Sequence, residues 1–202
     1  MLTIGITGGV ATGKSTVATL FRTYGAVVFS ADEAAREVVQ PGSPVLHAIV
    51  EAFGNNYLLP DGSLDRAALG KLVFNDPASR ARLEGITHPA ILARLREQID
   101  NARNHQLAGG IIALEVPLLY EAGMDSWFDK VVVVATSREV QIERLCTRNG
   151  LSEADAQQRL STQMPVEEKV SRADYSIWNN GTPQELEVQA ATLWQELVSL
   201  AP

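Results

Sequence analysis

The sequence predicts an α/β protein, a doubly wound parallel sheet that carries a helical insertion. Three observations predict it. The first thirty residues read strand, glycine loop, helix, strand. Buried-strand runs return late, at Gly110–Val116 (GIIALEV) and Lys130–Ala135 (KVVVVA). Between these two regions, residues 32 to 108 hold no strong strand.

Leu2–Thr7 is a short apolar run that ends in glycines, the pattern of a buried strand. A helix should follow from Lys14 to Tyr24, with Gly25 just past its end as a cap. Ala26–Ser30 is a second apolar run, so the chain opens as a βαβ unit. Such units build parallel sheets with right-handed crossovers. QPGSP, LPDGS, NDP and THP then punctuate a mostly helical stretch, in which Pro77 and Pro89 are each predicted to open a helix.

The four consecutive valines of Lys130–Ala135 read as a central strand. Ser137–Asn149 should be a helix closed by Gly150, and Ser152 with Asp155 should start another. Met164-Pro165 interrupts it. Tyr175–Trp178 is a short last strand, and Asn179-Asn180-Gly181 is a turn. Thr182-Pro183-Gln184-Glu185 is a capping box that opens a final helix to about Leu200. Leu193 and Trp194 on that helix could serve a core or an interface.

The 202 residues fit one domain with an inserted lobe. A net charge of −7 argues against general nucleic-acid binding, which draws on surplus Lys and Arg. One cysteine, Cys146, excludes an internal disulfide and suits a reducing cytoplasm, with packing its expected use. The N-terminus has no basic segment ahead of a long apolar run, so no signal peptide is expected. No apolar stretch reaches the ~20 residues of a membrane span. Three scattered histidines and one cysteine give no zinc spacing.

Gly8-Gly9-Val10-Ala11-Thr12-Gly13-Lys14-Ser15, followed by Thr16, fits G-x-x-x-x-G-K-[ST]. The glycines let successive N–H groups curl around phosphate oxygens, and the following helix adds its positive end. Lys14 reaches the β- and γ-phosphates, and the Ser15 hydroxyl ligates Mg²⁺. Between a strand and a helix, this loop predicts a P-loop core that binds ATP·Mg²⁺. No Asp is followed three residues later by Gly, and no Asn-Lys-x-Asp occurs, so a GTPase is disfavoured. A small kinase with a substrate lobe and a lid is the better match.

Asp32 follows the second strand, at the carboxyl end where parallel sheets bind ligands. It could take the proton of an attacking hydroxyl and help hold the metal, or only cap the next helix. Arg36, one turn later, could hold a substrate phosphate or be a solvated surface arginine. Glu115 ends the third strand, where it could lie near magnesium or hold no ligand. Arg138, Arg144 and Arg148, then Arg159 and Lys169, form a basic series. A closing arginine, Arg144 or Arg148, would stabilise the transferring phosphoryl group and exclude water.

Thr7 to Thr16, Ala31-Asp32 with Ala35-Arg36, Thr87-His88-Pro89, Val116-Pro117-Leu118-Leu119-Tyr120-Glu121, Gln141 to Arg148, Ala173-Asp174-Tyr175 and Asn179-Asn180-Gly181 resemble the dephospho-CoA kinase family. The match spans nearly the whole chain in the right order. The resemblance implies ATP-dependent phosphorylation of the ribose 3′-hydroxyl of dephospho-CoA, the last step of coenzyme A synthesis. It implies a core at 1–32, 109–137 and 173–202, a helical acceptor-binding insertion at 33–108 and a lid at 138–172. Asp32 would be the base, and Arg144 would contact phosphate beside Lys14. Thr7, Arg36, His88, Pro89, Leu118, Leu119 and Glu121 would lie on the acceptor side. Asn179 and Asn180 would lie near the adenine, and Arg148 with the nucleotide. Two departures stand out: Ser30 where the family usually has an acid, and Trp178 where an acid commonly precedes the Asn pair. The alternatives are another small-molecule or nucleoside monophosphate kinase, or a non-catalytic ATP-binding module. The oligomeric state is not legible.

Overall fold

A computed structural model of the chain describes residues 1–105 and 110–201. They divide into two compact units, residues 1–30 with 102–202, and residues 31–101.

The first unit is built on five parallel strands in the order β2-β3-β1-β4-β5. These are β1 (Leu2–Thr7), β2 (Val27–Ser30), β3 (Ile111–Glu115), β4 (Lys130–Ala135) and β5 (Tyr175–Trp178). The central strands β3, β1 and β4 are apolar almost throughout because both of their faces are covered. Helix α1 (Lys14–Tyr24) and the last helix, α9 (Pro183–Leu200), pack together through Phe21 and Trp194, whose ring centroids lie 5.7 Å apart. Leu186, Ala190, Leu193 and Leu197 of α9 join Ile4, Ile6, Val17 and Phe21 in one apolar core. Leu193 and Trp194 thus serve the core.

Local chemistry sets these boundaries. Gly25 closes α1 in the left-handed region at φ 114°, its N–H bonded to Arg22 and Phe21 carbonyls. Ser137 caps α6 (Arg138–Asn149), and Ser152 caps α7 (Glu153–Ser161). The reciprocal Thr182–Glu185 capping box is formed at the start of α9. Between α7 and α9 lies α8 (Val166–Arg172), which begins at the predicted Met164-Pro165 break.

The second unit holds α2 (Ala31–Glu37), α3 (Pro44–Phe53), a short 3-10 turn at Asn55–Tyr57, α4 (Arg66–Asn75) and most of α5 (Pro77–His105). Val39, Ile49 and Leu69 centre its own core, ringed by Phe53, Tyr57, Leu72, Leu83 and Ile86. Pro77 opens α5 as predicted, but Pro89 lies inside it. His88 and Pro89 are therefore mid-helix, not at a helix start. Proline removes one ladder bond, here the one that would reach the Gly85 carbonyl. Leu83 and Ile86 before it, and Leu95 and Ile99 after it, are held by packing, and that packing outweighs the loss. Among the described residues, no helix is long and apolar enough to cross a membrane.

Candidate active site

β1 ends at the buried Thr7 and hands the chain to the glycine loop. At Gly8 (φ 148°) a β-carbon would collide with the Val134 carbonyl, so the loop lies hard against β4. At Gly13 (φ 95°) it would collide with the Asn179 amide. Glycine is required at both positions. Gly13 then opens α1, whose first N–H groups and dipole face the loop.

The loop is braced from within. Lys14 Nζ donates to the Gly9 carbonyl at 2.7 Å, and Thr12 Oγ1 to the same oxygen at 3.0 Å. The buried ammonium is thereby aimed across the loop's mouth. Ser15 Oγ donates to Glu115 Oε1 at 2.6 Å. Glu115 therefore adjoins the predicted magnesium ligand. A hydroxyl beside a carboxylate is a hard-oxygen pair that suits Mg²⁺, which takes few protein ligands and completes its shell with phosphates and water.

The loop is also braced from outside. Asn179 Nδ2 donates to the Thr12 carbonyl at 2.8 Å. Arg144 on α6 donates to the Ala11 carbonyl at 3.2 Å and the Asn179 carbonyl at 3.0 Å. Asn180 Oδ1 accepts from Thr136 Oγ1 and Ser137 N, both at 2.8 Å. Gln141 Nε2 donates to the Val10 carbonyl at 2.7 Å, and Gln163 Oε1 accepts from Val10 N at 3.0 Å. Val10 and Ala11 pack on Leu145, Ala156 and Leu160 of α6 and α7, beside Cys146. Cys146 is thus a packing residue, as expected. Arg148 is exposed and bonds Asn149 Oδ1 at 3.3 Å.

A second network lies beyond β3. Lys169 is fully buried and pairs with Glu121 at 2.8 Å, while also donating to the Pro117 carbonyl at 2.9 Å. That carbonyl also accepts from Thr7 Oγ1 at 3.2 Å. Burial alone would raise the Glu121 pKa, but the Lys169 ammonium and the Met164 N–H outweigh it and hold the carboxyl below its usual range. Lys169 is therefore engaged by Glu121 and Pro117 and leaves the basic series. Leu119 is buried against Gly5, whereas Leu118 is exposed.

In the second unit, Asp32 and Arg36 are exposed on α2, one helical turn apart. Asp32 stands in the first turn of α2, two residues past Ser30, which pairs with Glu115 in the sheet. Arg66 donates to the Ala35 carbonyl at 3.2 Å. Burial, and then the nearby positive charge of Arg36, lower the Arg66 pKa. Two guanidiniums thus share one end of α2, a setting that favours an anion. Arg66 was missed by the sequence reading. Its signal was only a basic residue opening a helix after Asp65. His88 and Pro89 are exposed on α5.

A glycine loop between a parallel strand and a helix, with an aimed lysine and a serine–carboxylate pair, defines a P-loop nucleotide-binding core. The model of the family "CoaE: Dephospho-CoA kinase" matches residues 2–185. A dephospho-CoA kinase of Anaeromyxobacter dehalogenans is 49% identical over 199 residues, 98% of this chain and 92% of its own length. The dephospho-CoA kinase structure from Campylobacter jejuni superposes with a TM-score of 0.74 at 30% identity, covering 98% of this chain and 97% of its own. The crystal structure of TT1252 from Thermus thermophilus gives 0.79 at 33% identity, covering 97% of each chain. The chain belongs to the dephospho-CoA kinase family.

Proposed function

We propose that this chain transfers the γ-phosphoryl group of ATP to the ribose 3′-hydroxyl of dephospho-CoA, giving coenzyme A. The observation that carries the reading is the glycine loop itself, with Lys14 aimed across it, in a chain of this family. Loop amides between Gly8 and Thr16, apart from the Val10 N–H that Gln163 holds, bind the phosphates, and Lys14 follows the charge as it moves to the leaving oxygen. Arg144, bonded to both the loop and the Asn179 carbonyl, adds positive charge on the same side. Arg148 and the Asn179-Asn180 turn serve the rest of the nucleotide. Ser15 and Asp32 would hold Mg²⁺, with Glu115 beside Ser15. Mg²⁺ held there would offset the negative charge of the phosphates.

Asp32 is the proposed general base for the acceptor hydroxyl. The insertion 33–108 supplies the acceptor lobe: Arg36 holds a substrate phosphate, and His88 and Pro89 contact the acceptor. From the core, the exposed Leu118 completes the acceptor side, while Thr7 and Leu119 are buried and Glu121 is paired with Lys169. The segment 138–172 acts as the lid. The chemistry and the acidic net charge suit a cytoplasmic enzyme with a small-molecule partner and no nucleic acid.

The test is ADP release with ATP, Mg²⁺ and dephospho-CoA, beside AMP, CMP and no-acceptor controls. Turnover with dephospho-CoA alone is expected. Turnover with a nucleoside monophosphate instead would overturn the acceptor reading. No turnover at all would leave only a nucleotide-binding site. In the same assay, Asp32→Asn should lose roughly 10²–10⁴ in rate with ATP affinity kept; full activity would remove Asp32 from the base role.

A further inference from the structure

One peptide unit of the phosphate loop is held by two glutamines from outside it. Gln163 Oε1 accepts from Val10 N at 3.0 Å, and Gln141 Nε2 donates to Val10 O at 2.7 Å. Gln141 comes from α6, and Gln163 from the connection between α7 and α8. The Val10 peptide is thereby tied to the lid segment. The next residue, Ala11, sits at φ 61°, where among the described residues it is the one non-glycine with positive φ. An alanine stays in that region only where its surroundings over-determine it.

Gln163 is itself anchored. The following residue, Met164, donates its N–H to Glu121 Oε1 at 3.1 Å, and Glu121 is the partner of the buried Lys169. Contacts therefore run without a break from Lys169 through Glu121, Met164 and Gln163 to Val10. A glutamine that only solvated a surface would direct its amide to water. Gln163 is half-buried, with its carbonyl on a loop N–H.

We propose that Gln163 is a positioning residue for the phosphate loop. Acting through the Val10 amide, it holds the loop in the strained shape that receives the triphosphate. The α7–α8 connection then supports the loop from behind as well as closing over the nucleotide. This rests on the nucleotide-binding reading above.

The test uses the whole chain and measures the ATP Kd by calorimetry with Mg²⁺, the dephospho-CoA KM, and the melting temperature. Gln163→Met keeps the shape and removes the acceptor. It should weaken ATP binding about 3–10-fold, the worth of one net hydrogen bond, and leave the dephospho-CoA KM unchanged. Gln163→Glu restores an acceptor. In salt high enough to screen the added charge, it should bind ATP more tightly than Gln163→Met does. Unchanged ATP affinity in Gln163→Met overturns the proposal. Tighter affinity also overturns it, since Gln163 would then compete with phosphate for the Val10 N–H. So does a loss that Gln163→Glu does not recover. If the unaltered protein binds no ATP, the nucleotide reading itself fails, whatever Gln163 does.

Discussion

Removing Glu121 should destabilise the protein more than removing its partner Lys169. Lys169 is 0% exposed, and its ammonium is held by both Glu121 oxygens, at 2.8 and 3.1 Å, and by the Pro117 carbonyl at 2.9 Å. Glu121→Ala leaves that charge buried with one carbonyl. Stranding a buried charge costs about 3–5 kcal/mol. The Glu121 side chain is 25% exposed, so water can reach the gap, and the low end, about 3 kcal/mol, applies. For a chain of this length that is a fall in Tm of roughly 6–12 °C. Lys169→Met instead removes the costly charge and fills the space, and Glu121 can turn to water; about 1–2 kcal/mol is expected. The double variant should resemble Lys169→Met rather than the sum. The Glu121 carboxyl is held below its usual pKa, so its contribution is complete above the unfolded value of 4.5 and is lost as pH falls through the folded one. The gap between wild type and Glu121→Ala should therefore shrink on acidification. Thermal melts of the three variants across pH decide the matter. Equal losses, or a larger loss from Lys169→Met, would refute the argument. A Glu121 that served the acceptor directly would instead raise the dephospho-CoA KM with little change in Tm.

Lys14→Ala should weaken ATP binding and cost about 10²–10³ in turnover, as for other lost charge-stabilising donors; unchanged kinetics would remove the P-loop lysine from the mechanism. Gly13→Ala should strain the loop by roughly 1–3 kcal/mol at its φ of 95° and press on Asn179, so calorimetry should show ATP affinity falling further than stability. Thr182→Ala should cost about 1 kcal/mol, or ~2–4 °C in Tm, by opening the α9 capping box, with kcat unaltered because the box lies at the start of a packing helix.

What was legible in the sequence follows from the range of the physics involved. The phosphate loop is backbone chemistry within eight contiguous residues, and its glycines, lysine and serine announce it. β1, α1, β4 and β5 were readable for the same reason: apolar runs bounded by glycine or by capping side chains act locally. Pro89 misled because the first-turn preference of proline is also a local rule, and packing along α5 overrode it. Of the loop's supports, Arg144, Asn179 and Asn180 were named only as catalytic or nucleotide contacts, and the roles of Gln141 and Gln163 were not legible. Gln163 meets Val10 across 153 positions, Gln141 across 131, and Lys169 meets Glu121 across 48. No local pattern marks a glutamine that will reach a distant peptide, and the charge of Lys169 pointed toward phosphate when burial had assigned it to Glu121. Reading outward from the loop therefore finds the groups proposed to touch phosphate and misses those that hold the loop. The latter concentrate on α6 to α8, which makes the segment named as a lid part of the phosphate site's own support.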